Sequence, residues 1–350
     1  MTDDFWHGKR VLITGHTGFK GGWLAFWLEM LGAQVCGFSL APETEPNLFT
    51  NLKIESRVRS VIGDIRDLQD FERVASEFQP EIVFHLAAQP LVRRSYRQPV
   101  ETYTTNVIGT INVLEAVRLT ESVKAVVIIT TDKVYENKEW IWAYRENEPL
   151  GGFDPYSNSK ACAELVVSAY RNSFFAESQT LIATTRAGNV IGGGDWSENR
   201  LLPDVFRSLI FGKPLAIRNP NSIRPWQHAL EPLAGYLLLA EKLYSGEWNF
   251  ADAWNFGPSE EDSKPVGAVL EEIKRIWSAP VNWEIAEGNQ PHEANLLKLD
   301  STKAKTLLGW RPKLNLSEAL EMTVEWYNGF KENADLIELT QQQIEFYKGK

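Results

Sequence analysis

Tyr156 and Lys160 stand four residues apart in Tyr156-Ser157-Asn158-Ser159-Lys160, which opens a long helical pattern over 156–176. That spacing puts both side chains on one helix face. A free phenol titrates at about 10, too high for an efficient base at neutral pH. An ammonium beside it, with a second positive charge near the ring, stabilises the phenolate and brings it into range. Such a pair can take a proton from an alcohol. Upstream, Thr130-Thr131-Asp132-Lys133-Val134-Tyr135-Glu136-Asn137 sets a hydroxyl, a carboxyl and an amine at consecutive positions. Asp132 acts as an acid only if burial raises its affinity for a proton, and Lys133 acts as a base only if burial or a neighbouring cation lowers its own. A plain loop ion pair is the structural alternative for those two.

These side chains need elements to place them. Short β-branched runs at 11–14, 33–38, 58–62, 82–85, 125–130 and 180–185 alternate with helical patterns at 22–31, 102–118 and 156–176. Leu24, Trp27, Leu28 and Leu31 share one face of the first helix, and the fifth run, AVVIIT, is continuously apolar as a strand covered on both faces should be. Strands alternating with helices imply an α/β, doubly wound parallel sheet, with its ligand crevice at the carboxyl ends of the strands. Thr131 to Lys133 fall at one such end. After about Arg186, glycines, prolines and tryptophans interrupt shorter elements, with helices expected at 201–211, 232–244, 266–277 and 317–330. We read 1–185 as a dinucleotide-binding Rossmann domain and 186–350 as mainly a second, smaller substrate-binding lobe, with a soft boundary across which the chain can return to the sheet. The last twenty residues read as a polar, exposed helix.

The first strand runs into Thr14-Gly15-His16-Thr17-Gly18-Phe19-Lys20-Gly21 and then a helix. Gly15 permits a tight turn, Gly18 lets backbone N–H groups approach a pyrophosphate, and Gly21 lets helix pack on strand; the helix N-terminus faces the anion. In this context the triplet is a cofactor loop, with Thr17 and Phe19 beside it. No acid closes the second strand, which ends Gly37-Phe38-Ser39-Leu40 with none until Glu43, so the residues alone do not separate NAD from NADP.

The formal charge of −10 and pI near 5.2 argue against nucleic acid or an anionic membrane as the main partner. Two cysteines build no disulfide framework, and no signal peptide or membrane-length apolar run is apparent, so a cytoplasmic protein is expected. The five histidines are scattered without ligand spacing, so no metal is expected.

The GxxGxxG loop, the YxxxK pair, Gly63-Asp64-Ile65 after the third strand and His85-Leu86-Ala87-Ala88-Gln89 after the fourth resemble the extended short-chain dehydrogenases/reductases. The Asp132-Lys133 pair, where Asp-Glu is usual, narrows the resemblance to the nucleotide-sugar 4,6-dehydratases. Gly-Gly-Phe-Asp-Pro-Tyr-Ser-Asn-Ser-Lys at 151–160, Asn-Lys-Glu-Trp at 137–140 and Arg-Pro-Trp-Gln-His at 224–228 are similar to the branch acting on CDP-glucose. The resemblance runs to about Arg311-Pro312. It implies NAD as cofactor, with Asp64 and Ile65 at the adenine, Leu86, Ala87 and Ala88 under the adenosine, and Lys160 also on the nicotinamide ribose. It implies Thr131 as a donor to the substrate hydroxyl, Tyr156 as the base at C4, Asp132 as the acid at C6 and Lys133 at C5. Asn189, Arg200 and Arg224 would meet the substrate near its phosphates, each arginine having a surface ion pair as its structural alternative. Trp226 and Trp196 could stack on base or sugar, or pack in the core. Members form dimers or tetramers through the helices at 102–118 and 156–176, and Val107, Ile111 and Leu114 would supply an apolar stripe. The product is expected to feed cell-surface polysaccharide. A nucleotide-sugar 4-epimerase shares loop and Tyr–Lys pair but needs no acid–base pair after the fifth strand; a dehydratase for another nucleotide-glucose and a redox-sensing regulator on the same fold complete the readings.

Overall fold

The computed structural model describes residues 3–277, 282–286 and 296–350. Its strands are β1 (Arg10–Thr14), β2 (Gln34–Ser39), β3 (Arg59–Ile62), β4 (Ile82–His85), β5 (Ala125–Ile129), β6 (Leu181–Ala187), β7 (Asn189–Ile191), β8 (Ala216–Ile217), β9 (Ile223–His228), β10 (Ala253–Phe256), β11 (Ser263–Pro265) and β12 (Glu284–Ile285). Seven form one sheet in the order β10-β6-β5-β4-β1-β2-β3, and every pairing in it is parallel. The order reverses between β1 and β4, the switch point where such sheets open a crevice. β5 is buried along its whole length, as its composition requires. β10 is an edge strand contributed from beyond residue 250, so the chain does return to the sheet.

Smaller sheets build the other wall. β9 pairs antiparallel with β11 and parallel with β7, in a register that sets Asn189 opposite Trp226 and Ile191 opposite His228. β8 and β12 form a separate parallel pair.

Three helical expectations are corrected. The helix Phe19–Met30 is buried from Gly21 through Leu28 rather than along one apolar face, because the sheet lies under it and the helices of the second half lie over it. The pattern at 102–118 is not one helix. Pro99–Tyr103 is followed by a π-helical turn, Thr104–Ile108, and then Gly109–Arg118. The turn directs Asn106 inward, where its amide accepts from Gln89 N (2.8 Å) and donates to Gln89 O (3.1 Å) and Ser159 Oγ (2.9 Å). This also splits the apolar stripe. Leu114 is fully buried against the sheet, so it cannot face a second subunit, whereas Val107 and Ile111 stay half-buried.

The last helix, Leu336–Gly349, is docked rather than exposed. Leu336, Thr340, Gln343, Ile344 and Tyr347 are buried, and Thr340 accepts from Trp326 Nε1 at 3.0 Å. Its other anchor is Glu231, buried at the start of the helix Leu230–Tyr244. Glu231 accepts from Lys313 N (2.8 Å), Leu314 N (2.6 Å) and the Tyr347 hydroxyl (2.9 Å). Burial outweighs these donors and pushes the carboxyl from 4.5 up to about 7. The folded chain therefore holds a proton through that window that the unfolded chain has released, and stability falls as pH rises across it. Glu231→Gln should flatten that dependence: its denaturation midpoint is expected to change less between pH 5 and pH 8 than the parent's, as read in a urea titration.

Candidate active site

The loop after β1 is shaped by close approach. Gly15 has φ +81°, and a Cβ there would lie 2.7 Å from Ala87 N. A Cβ on Gly21 would lie 2.0 Å from Gly15 O, so the helix could not seat on the loop. Gly18 caps the helix Phe19–Met30 without a side-chain hydrogen bond, which leaves first-turn N–H groups for an anion. Thr17 is buried and its hydroxyl bonds Ser39 Oγ and Leu40 O, both at 2.8 Å, tying the loop to the end of β2. Glu43 is engaged by Arg94.

Beneath the loop runs a directed chain of hydrogen bonds. Thr14 Oγ1 accepts from Leu86 N and Ala87 N, both at 3.1 Å, so its proton goes to His85 Nδ1 at 2.7 Å. Thr110 gives its own proton to Asn106 O at 2.7 Å, so it accepts from His85 Nε2 at 3.1 Å. Both bonds require the neutral Nε2–H tautomer. Burial, aided by the Lys160 charge, pushes His85 down to about 3 and keeps it neutral.

A cleft of about 910 Å³ opens at the carboxyl ends of the central strands. Phe19, Lys20, Leu86 and Ala88 line it on the loop side; Thr131, Asp132, Lys133, Tyr156 and Lys160 form the middle; Asn189, Arg200, Arg224 and Trp226 lie on the β7–β9 wall. Of the other predicted cofactor residues, Gly15, Thr17, Gly18, Gly21 and Ala87 belong to the loop and its seat on β4 rather than to the cleft lining. Asp64 follows β3 and pairs with Arg66, whose guanidinium holds the carboxyl below its usual range. Ile65 is buried; its side chain packs in the sheet-flanking core and its carbonyl accepts from Asn112 Nδ2 at 2.9 Å.

Asp154 caps the helix Pro155–Phe174, its carboxylate accepting from Ser157 N (3.0 Å) and Ser157 Oγ (2.6 Å). That start places Tyr156 and Lys160 under the end of β5, where Lys160 Nζ donates to Ile129 O at 3.0 Å. Burial pushes the Tyr156 phenol up to about 12, with the Thr131 hydroxyl and Arg200 pulling the other way. It lowers Lys160 to about 8 against the upward pull of Glu164. Thr131 caps a short turn, Asp132–Val134, and its hydroxyl donates to Asp132 Oδ1 at 2.9 Å. Asp132 is 2% exposed; its Oδ2 has no protein partner, and burial raises its pKa despite Lys133, Thr131, Arg224 and Lys20. Gly188 makes room for it, since a Cβ there would meet Pro225 Cγ at 2.6 Å and Asp132 Oδ2 at 3.2 Å.

Arg200 reaches the cleft while paired to Asp195 at 3.1 Å. Arg224 Nη1 donates to Ile223 O at 2.9 Å. The tryptophans are packed. Trp226 is 3% exposed and donates to Lys264 O at 3.0 Å; Trp196 lies edge-on to Tyr327, with ring centres 5.0 Å apart. The Trp196 ring is held in the core away from the cleft lining, whereas Trp226, though packed, also lines the cleft. The sequence reading passed over Lys20, though its place in the loop puts it in the cleft; burial, Lys160 and Arg200 lower it to about 7. Among the described residues no group of acidic, histidine and cysteine side chains could hold a metal, and no helix is long and apolar enough to cross a membrane.

Known proteins resemble this chain in sequence and in fold. The chain is 51% identical over 349 residues to the CDP-glucose 4,6-dehydratase of Salmonella typhimurium, covering 98% of this chain and 97% of that one. It is 28% identical over 337 residues to a dTDP-glucose 4,6-dehydratase of Xanthomonas campestris, covering 90% and 92%. In three dimensions it is similar to the UDP-glucose 4-epimerase of Thermotoga maritima (TM-score 0.80, 23% identity, 92% of this chain and 99% of that one). It is likewise similar to the dTDP-glucose 4,6-dehydratase of Bacillus anthracis (TM-score 0.78, 23% identity, 94% and 100%). The family model for GDP-mannose 4,6 dehydratase matches residues 12–323, and the chain belongs to that family of nucleotide-sugar dehydratases.

Proposed function

We propose that the protein converts CDP-glucose to CDP-4-keto-6-deoxyglucose and water, using NAD. The observation that carries this is the meeting of Thr131, Asp132, Lys133, Tyr156 and Lys160 on one buried cleft wall, together with near full-length identity to an enzyme of that name. The uncapped helix start after Gly18 and the space kept by Gly15 and Gly21 fit a dinucleotide pyrophosphate. Phe19, Leu86 and Ala88 would flank the cofactor, with Asp64 and Ile65 at its adenine end and Lys160 at the nicotinamide ribose. When bound, NAD accepts hydrogen from C4 at the start and returns it to C6 at the end.

The chain's own groups move the protons. Tyr156, as phenolate, takes the proton of the C4 hydroxyl, and Thr131 donates to that oxygen. Lys160 supplies positive charge to the phenolate. The C4 ketone acidifies the C5 hydrogen, which Lys133 removes. Asp132, kept protonated by burial, gives its proton to the departing C6 hydroxyl, and water leaves. Reprotonation at C5 restores Lys133, and passage of the proton gained by Tyr156 to the Asp132 carboxylate, through solvent, restores those two groups. Residues 1–185 serve the cofactor and 186–350 mainly the nucleotide sugar. Val107, Ile111 and the helix Pro155–Phe174 would contribute to a homodimer or homotetramer, and a cytoplasmic location and a role in supplying cell-surface polysaccharide fit this chemistry.

Asn189, Arg200 and Arg224 would take the diphosphate. A guanidinium fork matches phosphate oxygens as an ammonium does not. Arg224→Lys is therefore expected to raise KM for CDP-glucose about tenfold with kcat nearly unchanged, the signature of lost uniform binding. Incubation with CDP-glucose tests the whole reading. A 4-keto-6-deoxy sugar, seen by its alkaline absorbance, is expected. CDP-galactose as the product would point to an epimerase, and tight NAD binding without turnover to a regulator.

A further inference from the structure

One turn beyond Lys160 on the same helix lies a buried ion pair that the chemistry above leaves unused. Glu164 and Arg186 are 3% and 4% exposed, with Arg186 Nε on Glu164 Oε1 at 2.9 Å. The Glu164 carboxylate accepts four hydrogen bonds, from Thr130 Oγ1 (2.6 Å), Thr184 Oγ1 (2.7 Å), Arg186 Nε (2.9 Å) and Arg186 Nη2 (3.0 Å). Arg186 Nη1 reaches Tyr135 Oη at 2.8 Å, beyond the Asp132–Val134 turn. Successive turns of the helix thus meet successive residues of the β5 exit: Lys160 on Ile129 O, Glu164 on the Thr130 side chain. The next residues are Thr131, Asp132 and Lys133.

We propose that Glu164, held by Arg186, is a positioning residue for this reaction, registering the β5 exit against the Tyr156–Lys160 face and supplying the negative charge that keeps Lys160 an ammonium. The proposal rests on the dehydratase reading. The other groups around Lys160 do not supply that charge. His85 of β4 is neutral, Lys20 of the loop helix is a second amine, Tyr156 on the same helix is a neutral phenol in the free chain, and Asp132 is favoured in its neutral form by burial. Glu164 is the carboxylate that raises Lys160, and Arg186 with the two threonines holds Glu164 ionised.

Glu164→Gln alone would strand the Arg186 charge in the core, so the test is the double variant Glu164→Gln/Arg186→Met, which removes both charges at near-constant volume. The alkaline limb of its kcat profile is expected to fall about one pH unit below the parent's, and kcat at pH 8 about fivefold, with KM retained. Thr130→Val keeps the charges and cuts the tie between Glu164 and β5, with the longer contact to Thr185 O (3.1 Å) on β6; kcat should fall about threefold with the limb unmoved. A folded double variant with the parental limb would overturn the proposal, as would parental kcat in Thr130→Val should the double variant not fold. NMR titration of 13C-labelled lysine side chains reads Lys160 without turnover. If the parent does not convert CDP-glucose, the dehydratase reading fails, while a lower Lys160 titration in the double variant would still support the charge role and an unchanged one would remove it.

Discussion

A Tyr156→Phe variant should turn over CDP-glucose about a thousandfold more slowly than the parent, or slower still, at nearly unchanged melting temperature. The size follows from what the hydroxyl does: general-base transfers are worth about a hundred- to ten-thousandfold. The small stability effect follows from the surroundings. Thr131 loses one neighbour but keeps its bond to Asp132 Oδ1, so no buried donor is stranded. Burial holds the free-chain phenol up at about 12, so it is not poised for base catalysis before ligands bind. A positively charged nicotinamide beside the ring changes that balance, and the Tyr156 phenolate signature in ultraviolet difference spectra should move to lower pH on adding NAD. Turnover within tenfold of the parent would remove Tyr156 from the role of base.

Asp132→Asn should separate the half-reactions. Asparagine keeps the size and the bond to Thr131 but cannot release an acidic proton, so C6–O cleavage is expected to slow by about a hundred- to a thousandfold. Oxidation at C4 and proton removal at C5 need other groups and should continue. Substrate recovered from D2O should then carry deuterium at C5 while ketone product accumulates slowly. Dehydration at the parental rate would show that water leaves without Asp132. Because burial raises this carboxyl, its acid form persists to higher pH than in a free aspartate, and the variant should lose the part of the alkaline fall in rate that comes from Asp132 ionising.

Much of this site is legible before folding because its parts are local. The loop after β1 is one run of residues, Tyr156 and Lys160 are one helical turn apart, and Thr131 to Lys133 are consecutive. What could not be read is long-range. Glu164 and Arg186 are ordinary charges until β6 comes to lie beside the helix. The π-helical turn at Thr104–Ile108 depends on Gln89 and Ser159, which no local preference anticipates. Trp196 and Trp226 have two readings from sequence; the packing of Tyr327 puts Trp196 in the core, while Trp226 packs on β11 and also lines the cleft. The final helix looks polar because its buried face uses Thr340, Gln343 and Tyr347, whose hydroxyls and amide N–H bond inside the fold.

The missing side chain at position 188 has an evolutionary corollary. Asp132 after β5, Gly188 between β6 and β7, and Pro225 on β9 share one small volume, so none can drift alone. A lineage that gained even a methyl group at 188 would have to shift the carboxyl or the proline, and descendants keeping the acid should inherit all three positions as a block. Lineages that abandoned water loss would be released from that linkage.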